Sequence, residues 1–215
     1  MTVARAPRTS RAARRDAVLD RVLSAAAALL GDGRSFRDLG VAQLAAEAGI
    51  SRASFYIYFE DKVEVLRAFS ERLEDEAAAT LARWWGAERP PELPELRRLL
   101  GELSAPYRTH GPLAAALSEM AFADDGLAHL RRTAAGAWAD GLAGHLARGQ
   151  EAGWVARELP ARETAAWLAS MLLRVLHEVV PRARDAELDV LLDTGAELLW
   201  ATVYAPPGAR TRTLP

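Results

Sequence analysis

Apolar residues recur at intervals of three and four along most of the chain, and no strand-length run alternates apolar with polar positions. Val18, Val22, Ala25, Ala26 and Leu29 form one such stripe; Leu188, Leu191, Leu192, Gly195, Leu198, Leu199 and Thr202 form another. This period collects side chains on one face of a helix, whereas a half-buried strand needs a period of two. β-branched residues are scarce, while 45 of the 215 residues are alanine and 26 are arginine. GC-rich coding accounts for much of that bias, but Ala, Leu, Arg and Glu are also strong helix formers. An all-α fold is predicted.

With half of its residues hydrophobic, the chain can bury a sizeable core, in one large domain or in one large and one small. Cysteine is absent, which excludes disulfides, thiolate metal sites and a cysteine nucleophile. No apolar run approaches the roughly 18 to 20 residues of a membrane span. Asp16, Asp20 and Arg21 interrupt the first apolar segment and argue against a secretory signal, so a soluble, cytoplasmic protein without a membrane partner is expected. The formal net charge of -2 taken alone disfavours a nucleic-acid partner. Its distribution reverses that reading: residues 1–62 carry 10 basic and 7 acidic residues (+3), and residues 63–215 carry 17 and 22 (-5). A basic head and an acidic body point to two separate tasks.

The sequence divides accordingly. Residues 1–15, with Arg5, Arg8, Arg11, Arg14 and Arg15 among small residues, read as a flexible basic arm. A helix from about 14 to 30 ends at Gly31 and Gly33. Val41, Leu44, Ala45 and Ala48 mark a two-turn helix closed by Gly49 in a left-handed conformation, and Ser51 caps a third helix. Ile50 is expected to plug the turn. Two short helices about a glycine pivot outline a helix-turn-helix within residues 16–62. A long fourth helix runs from Lys62 to about Trp85, and helices near 95–108, 113–122, 127–150, 160–180 and 184–204 follow, broken by Gly, Pro and Asp-Asp-Gly segments. The count is nine: three in the head and six in a body spanning 63–205. Residues 206–215 read as a flexible tail.

The third helix carries the chemistry. Phe55 and Phe59, four residues apart, can bury one face against Val41, Leu44 and Ala48. The opposite face then presents Ser51, Arg52, Ala53, Ser54, Tyr56, Ile57 and Tyr58. Arg52 in the first turn suits bidentate bonding to guanine in a major groove, the hydroxyls of Ser54, Tyr56 and Tyr58 suit phosphates, and Ala53 and Ile57 suit apolar contact such as a thymine methyl. Lys62, the only lysine, opens the fourth helix, where an ammonium beside free backbone N–H groups suits a phosphate. The same exposed tyrosines and isoleucine also fit a protein interface. A ligand-binding or protein-interaction module that no longer reads DNA is therefore the alternative.

The run Gly49-Ile50-Ser51-Arg52-Ala53-Ser54-Phe55-Tyr56-Ile57-Tyr58-Phe59 followed by Lys62 resembles the N-terminal signature of the TetR family of transcriptional repressors. Its wording is nearest to the subgroup of the mycobacterial repressor of ethionamide activation. Gly40 departs from the family pattern, which has Thr or Ser as the cap of the second helix; a phosphate-binding hydroxyl is lost there, at a cost in capping of only a few tenths of a kcal/mol. The resemblance implies a ligand-responsive repressor of nine-helix TetR-like architecture. It would bind a palindromic double-stranded DNA operator as a homodimer through its last two helices (about 160–180 and 184–204), and a small, mainly apolar effector would release it.

Two apolar stripes fit that dimer independently, one on residues 188–202 and one formed by Ala165, Leu168, Ala169, Leu172, Val175, Leu176 and Val179. Each is wide enough to serve a core and a four-helix interface. Tyr107, Met120, Phe122, Trp138, Trp167 and Met171, with Arg174 and His177 as polar contacts, are the candidate pocket residues; each also fits an ordinary packed core. In the ethionamide-type subgroup amide residues anchor the ligand, and the aligned positions here are Ala169 and Leu172, so that anchor is missing. Neither a catalytic constellation nor a metal or cofactor site is expected. His110, His129, His145 and His177 are dispersed, His177-Glu178 lacks the second histidine of a zinc-hydrolase helix, and Asp124-Asp125 reads as a helix cap.

Overall fold

The computed structural model describes residues 11–205, so the arm up to residue 10 and the tail from 206 lie outside the described residues. Within that range the chain is all-helical. Nine α-helices follow one another: α1 (Arg11–Gly31), α2 (Val41–Glu47), α3 (Arg52–Tyr58), α4 (Lys62–Trp85), α5 (Leu93–Thr109), α6 (Gly111–Met120), α7 (Asp125–Ala152), α8 (Ala161–Arg174) and α9 (Asp185–Leu199). A wide π-type turn, Val175–Val179, and a short 3-10 turn extend α8, and a second π-type turn, Trp200–Tyr204, closes α9. Every helix read from periodicity is present. One boundary is corrected: α1 starts at Arg11, so residues 11–15 belong to a helix and not to the arm. Their Arg and Ala composition favours extension of the helix.

The chain divides into two compact units, Met1–Phe69 and Ser70–Pro215, with the division falling inside α4. In the first unit, Val22, Ala26, Leu44, Phe55, Phe59, Val65, Leu66 and Phe69 form a closed core. Phe36 and Leu39, from the turn between α1 and α2, complete it. Arg15 of α1 pairs with Glu64 of α4 at 3.0 Å and lies 5.6 Å above the Phe59 ring, which fastens the start of α1 to the start of α4.

The second unit holds its helices together through a buried polar chain as well as apolar packing. Trp84 Nε1–H donates to the Tyr204 hydroxyl at 3.0 Å, the hydroxyl lies 2.9 Å from His145 Nε2, and His145 Nδ1 lies 3.1 Å from the Trp85 carbonyl. A carbonyl only accepts, so Nδ1 carries the imidazole proton, Nε2 accepts, and the tyrosine hydroxyl donates to it. One neutral histidine thus joins α4, α7 and the final π-type turn. α7 and α4 approach closely where position 141 is glycine, since a Cβ there would lie 2.4 Å from the Trp85 ring.

His145 and His177 are both buried. Burial, aided by the charge of Arg148 against the opposing bond to the Trp85 carbonyl, lowers the pKa of His145 to about 4. Burial and then the charge of Arg131 lower that of His177 to about 4. Since both lie below the ordinary value of 6.5, the unfolded chain takes up protons first on acidification. Their stabilisation is present in full above pH ~6.5 and is lost as the pH falls toward ~4, with a ceiling of roughly 3 kcal/mol per imidazole. Chemical denaturation followed by tryptophan fluorescence is therefore expected to give a constant midpoint between about pH 7 and 8 and a steep fall below about 6.5. The fall should be shallower in a His177→Gln variant, which has one fewer proton to gain.

Candidate nucleic-acid interface

The turn between α2 and α3 is built by backbone hydrogen bonds. Ile50 N–H donates to Ala45 O at 2.9 Å and Gly49 N–H to Ala46 O at 3.1 Å, the paired bonds of a Schellman stop. Gly49 sits at φ +66, a conformation that a Cβ would penalise. Ile50 is half-buried. Ser51 then starts α3, its Oγ accepting from Ser54 N–H at 2.9 Å. Gly40 starts α2 without a side chain of its own, and Gln43 Oε1 reaches back to accept its N–H at 2.9 Å.

With Phe55 and Phe59 fully buried and 5.2 Å apart, the rest of α3 is turned out. Ser51, Arg52 and Ala53 are exposed, Ser54 and Tyr58 are half-buried, and Tyr56 and Ile57 are 47% and 66% exposed. The Arg52 guanidinium rests 5.6 Å from the Tyr56 ring, so an i, i+4 cation–π contact holds it over the outer face. The Ser51 hydroxyl is engaged in the cap and lies 2.9 Å from Ser54 Oγ, which makes it a positioning group for the helix start.

Lys62 is placed differently from expectation. Its ammonium donates to Phe36 O at 2.9 Å, Arg37 O at 2.6 Å and Leu39 O at 2.8 Å, and lies 5.5 Å from the Phe36 ring. An ammonium has three protons, and three carbonyls take them, so no donor is left over for a phosphate. Burial lowers its pKa, against the opposing charge of Asp38. The residue read as a phosphate contact is a staple that holds the turn before α2 against the start of α4. Periodicity could not reveal this. The signal lay in Phe36-x-x-Leu39, two apolar residues in an otherwise polar turn.

The eight candidate pocket residues, all in the second unit, are not gathered in one cavity. Tyr107, Met120 and Trp138 are buried in the core. Trp138 Nε1–H donates to Glu74 Oε2 at 2.8 Å, and burial raises the pKa of that carboxyl. Trp167 (73% exposed) and Met171 face outward on α8, where they line an open apolar groove of about 430 Å³ with Val175, Leu191, Leu198 and Thr202. They lie on the face assigned to dimerisation, because the α8 stripe is broader than the core it covers. Phe122, Arg174 and His177 line a separate pocket of about 370 Å³. Among the described residues, no group of three or more His, Asp or Glu residues could hold a metal ion, and no helix is long and apolar enough to cross a membrane.

A glycine-pivoted pair of short helices, capped and backed by a closed core, with an arginine and tyrosines on the outer face, defines a helix-turn-helix DNA-binding domain. Residues 22–69 match the family described as bacterial regulatory proteins, tetR family. No curated protein matches the chain. Among similar solved structures, a TetR transcription regulator from Haloarcula marismortui is 18% identical with a TM-score of 0.68, over 89% of this chain and 99% of that one. SmeT, the repressor of the Stenotrophomonas maltophilia multidrug efflux pump SmeDEF, is 22% identical with a TM-score of 0.62, over 94% and 97%. The fatty acid degradation regulator FadR from Bacillus halodurans is 19% identical with a TM-score of 0.63, over 89% and 96%. The chain thus carries the DNA-binding domain and the fold of TetR-family transcriptional regulators. The narrower likeness to the ethionamide-type subgroup is not supported by these matches.

The staple makes a prediction that separates it from a phosphate contact. Lys62→Met keeps the aliphatic stem and leaves three carbonyls unpaired, so the thermal midpoint should drop, with a cost of about 1–3 kcal/mol. DNA binding should weaken while the slope of log affinity against log salt stays unchanged. A direct phosphate contact would lower that slope by about one.

Proposed function

We propose that the protein is a ligand-responsive transcriptional repressor that binds a palindromic operator as a homodimer and leaves it when a small organic effector occupies the second unit. The observation that carries the reading is the outer face of α3: Arg52, stacked on Tyr56 and without an ion-pair partner among the described residues, beside exposed Ala53 and Ile57. Arg52 would read a base edge, Ala53 and Ile57 would make apolar base contacts, and Ser54, Tyr56 and Tyr58 would fix the register on phosphates. Ser51 and Lys62 act by holding α3 and the turn before α2.

Dimerisation is assigned to α8 and α9. Trp167, Met171 and Leu198 are all more than two-fifths exposed and line the apolar groove, and apolar faces of this kind mark interfaces. A two-fold dimer gives two copies of α3, which read two half-sites about one helical turn apart. α4 belongs to both units and is the element through which an event in one reaches the other. An effector acts only through its preference for the state whose two α3 helices do not match consecutive grooves; equal affinity for both states shifts nothing.

Operators recovered by enriching genomic fragments on the purified protein should share a palindrome. Arg52→Ala should cost about 1–3 kcal/mol at one base position of each half-site, read by mobility shift on single-base operator variants. Equal losses on all variants would remove Arg52 from base reading. Leu198→Glu should convert a dimer to a monomer in sedimentation velocity, since a carboxylate on that face would be buried unpaired, and operator affinity should fall with it.

A further inference from the structure

The pocket near the start of α7 is unlike the rest of the second unit in charge. Arg131 and Arg132 of α7 and Arg174 of α8 line it together with Glu178, and Phe122, Ala135 and Leu173 supply apolar wall. Glu178 is paired with Arg174 at 3.1 Å. Arg131 rests 5.2 Å from the exposed Phe122 ring, and neither Arg131 nor Arg132 has an ion-pair partner among the described residues. Two cations therefore face one small space uncompensated, in a body that carries more acid than base.

One further polar member of the wall is buried. His177, 5% exposed, lies in the π-type turn Val175–Val179. The extra residue in that turn shifts the helical register, and His177 packs edge-on against Tyr107 with ring centroids 4.9 Å apart. Its Nε2 lies 3.5 Å from the Tyr107 hydroxyl. Its Nδ1 is buried with no hydrogen-bond partner. A buried polar atom left unpaired costs about 1–3 kcal/mol, a deficit that an acceptor brought by a ligand would remove by selecting the tautomer with its proton on Nδ1.

We propose that this pocket, between Arg131, Arg132, Arg174 and His177, binds a small organic carboxylate with an aromatic or short alkyl body. The carboxylate would take charge-assisted hydrogen bonds from the paired α7 arginines, and its body would lie against Phe122 and Leu173. At about 370 Å³ the space suits a small molecule and no polymer. The apolar wall selects an organic anion over inorganic phosphate. This deepens the effector reading above, and its regulatory meaning rests on that reading, but the site itself does not.

The test is isothermal titration of the full chain with benzoate, 1-naphthoate and decanoate, each set against its neutral primary amide, and with inorganic phosphate. At least one carboxylate should bind about tenfold or more tightly than its amide and than phosphate. An Arg131→Gln/Arg132→Gln double variant, checked for an unchanged circular dichroism spectrum and thermal midpoint, should lose that preference. Arg174→Gln supplies a second variant outside α7, and its preference should fall at least about threefold. The proposal is overturned if no carboxylate binds, if amides or phosphate bind as well, or if the double variant keeps the preference. Mobility shifts on the selected operator run in parallel. Operator binding without carboxylate binding overturns the pocket alone, and carboxylate binding that leaves operator affinity unchanged upholds the pocket and removes its effector role.

Discussion

Three carbonyl oxygens of one short turn converge on a single ammonium, and the placement of α3 depends on that convergence. Phe36, Arg37 and Leu39 point their carbonyls at Lys62 Nζ, while the Phe36 and Leu39 side chains go into the core. The turn is thereby pinned from both sides. It delivers the chain to Gly40 and the start of α2, and α2 leads through Gly49 to α3. The exposed face of α3 is thus set by a contact more than twenty residues away in sequence. The contact is strong because an ammonium shared among three carbonyls, two of them partly buried, leaves every polar group satisfied.

Polar groups play the same structural part in the second unit, where fixed proton positions replace charge. His145 serves this arrangement while neutral: protonation would put a second proton on Nε2, which would then donate to the Tyr204 oxygen and leave the hydroxyl hydrogen without its acceptor. Tyr204 lies in the last described turn and Trp84 near the end of α4, so the chain of bonds ties the last described turn to the helix shared by both units. A buried network of this kind specifies one arrangement, because any member displaced leaves the others unpaired in a low-dielectric interior.

How much of this was legible beforehand follows the range of each interaction. Helix existence, the Gly49 stop, the Ser51 cap, the Asp124 cap on Leu127 N–H and the buried Phe55–Phe59 pair are local, and residue type with spacing was sufficient to read them. Arg15 and Lys62 were misread for one reason: a cation at an exposed sequence position looks free until its partner is known, and the partners lie 49 residues away in one case and 23 to 26 in the other. The aromatic residues of the body failed differently. Trp167 and Trp138 are indistinguishable by composition, yet one is outside and one inside, because the α8 stripe is wider than the core needs. The grouping of Phe122, Arg174 and His177 had no sequence signal, as it depends on the register shift of a π-type turn that no spacing rule announces.

The position of the arginine pocket bears on how it would act. Arg174 stands three residues from Met171 and seven from Trp167 on α8, so one helix serves the pocket with Arg174 and the apolar groove with the other two. The same π-type turn contributes His177 to the pocket and Val175 to the groove. Coupling between pocket and groove therefore needs no relay across the core. An anion between Arg131, Arg132 and Arg174 would compete with Glu178 for Arg174, next to the π-type turn that follows it. A coupling free energy of about 1–3 kcal/mol is typical of allosteric sites, and it is comparable with one charge-assisted hydrogen bond gained or lost. The exchange of Arg174 from carboxylate side chain to carboxylate ligand is thus of the right size to bias α8 without unfolding it.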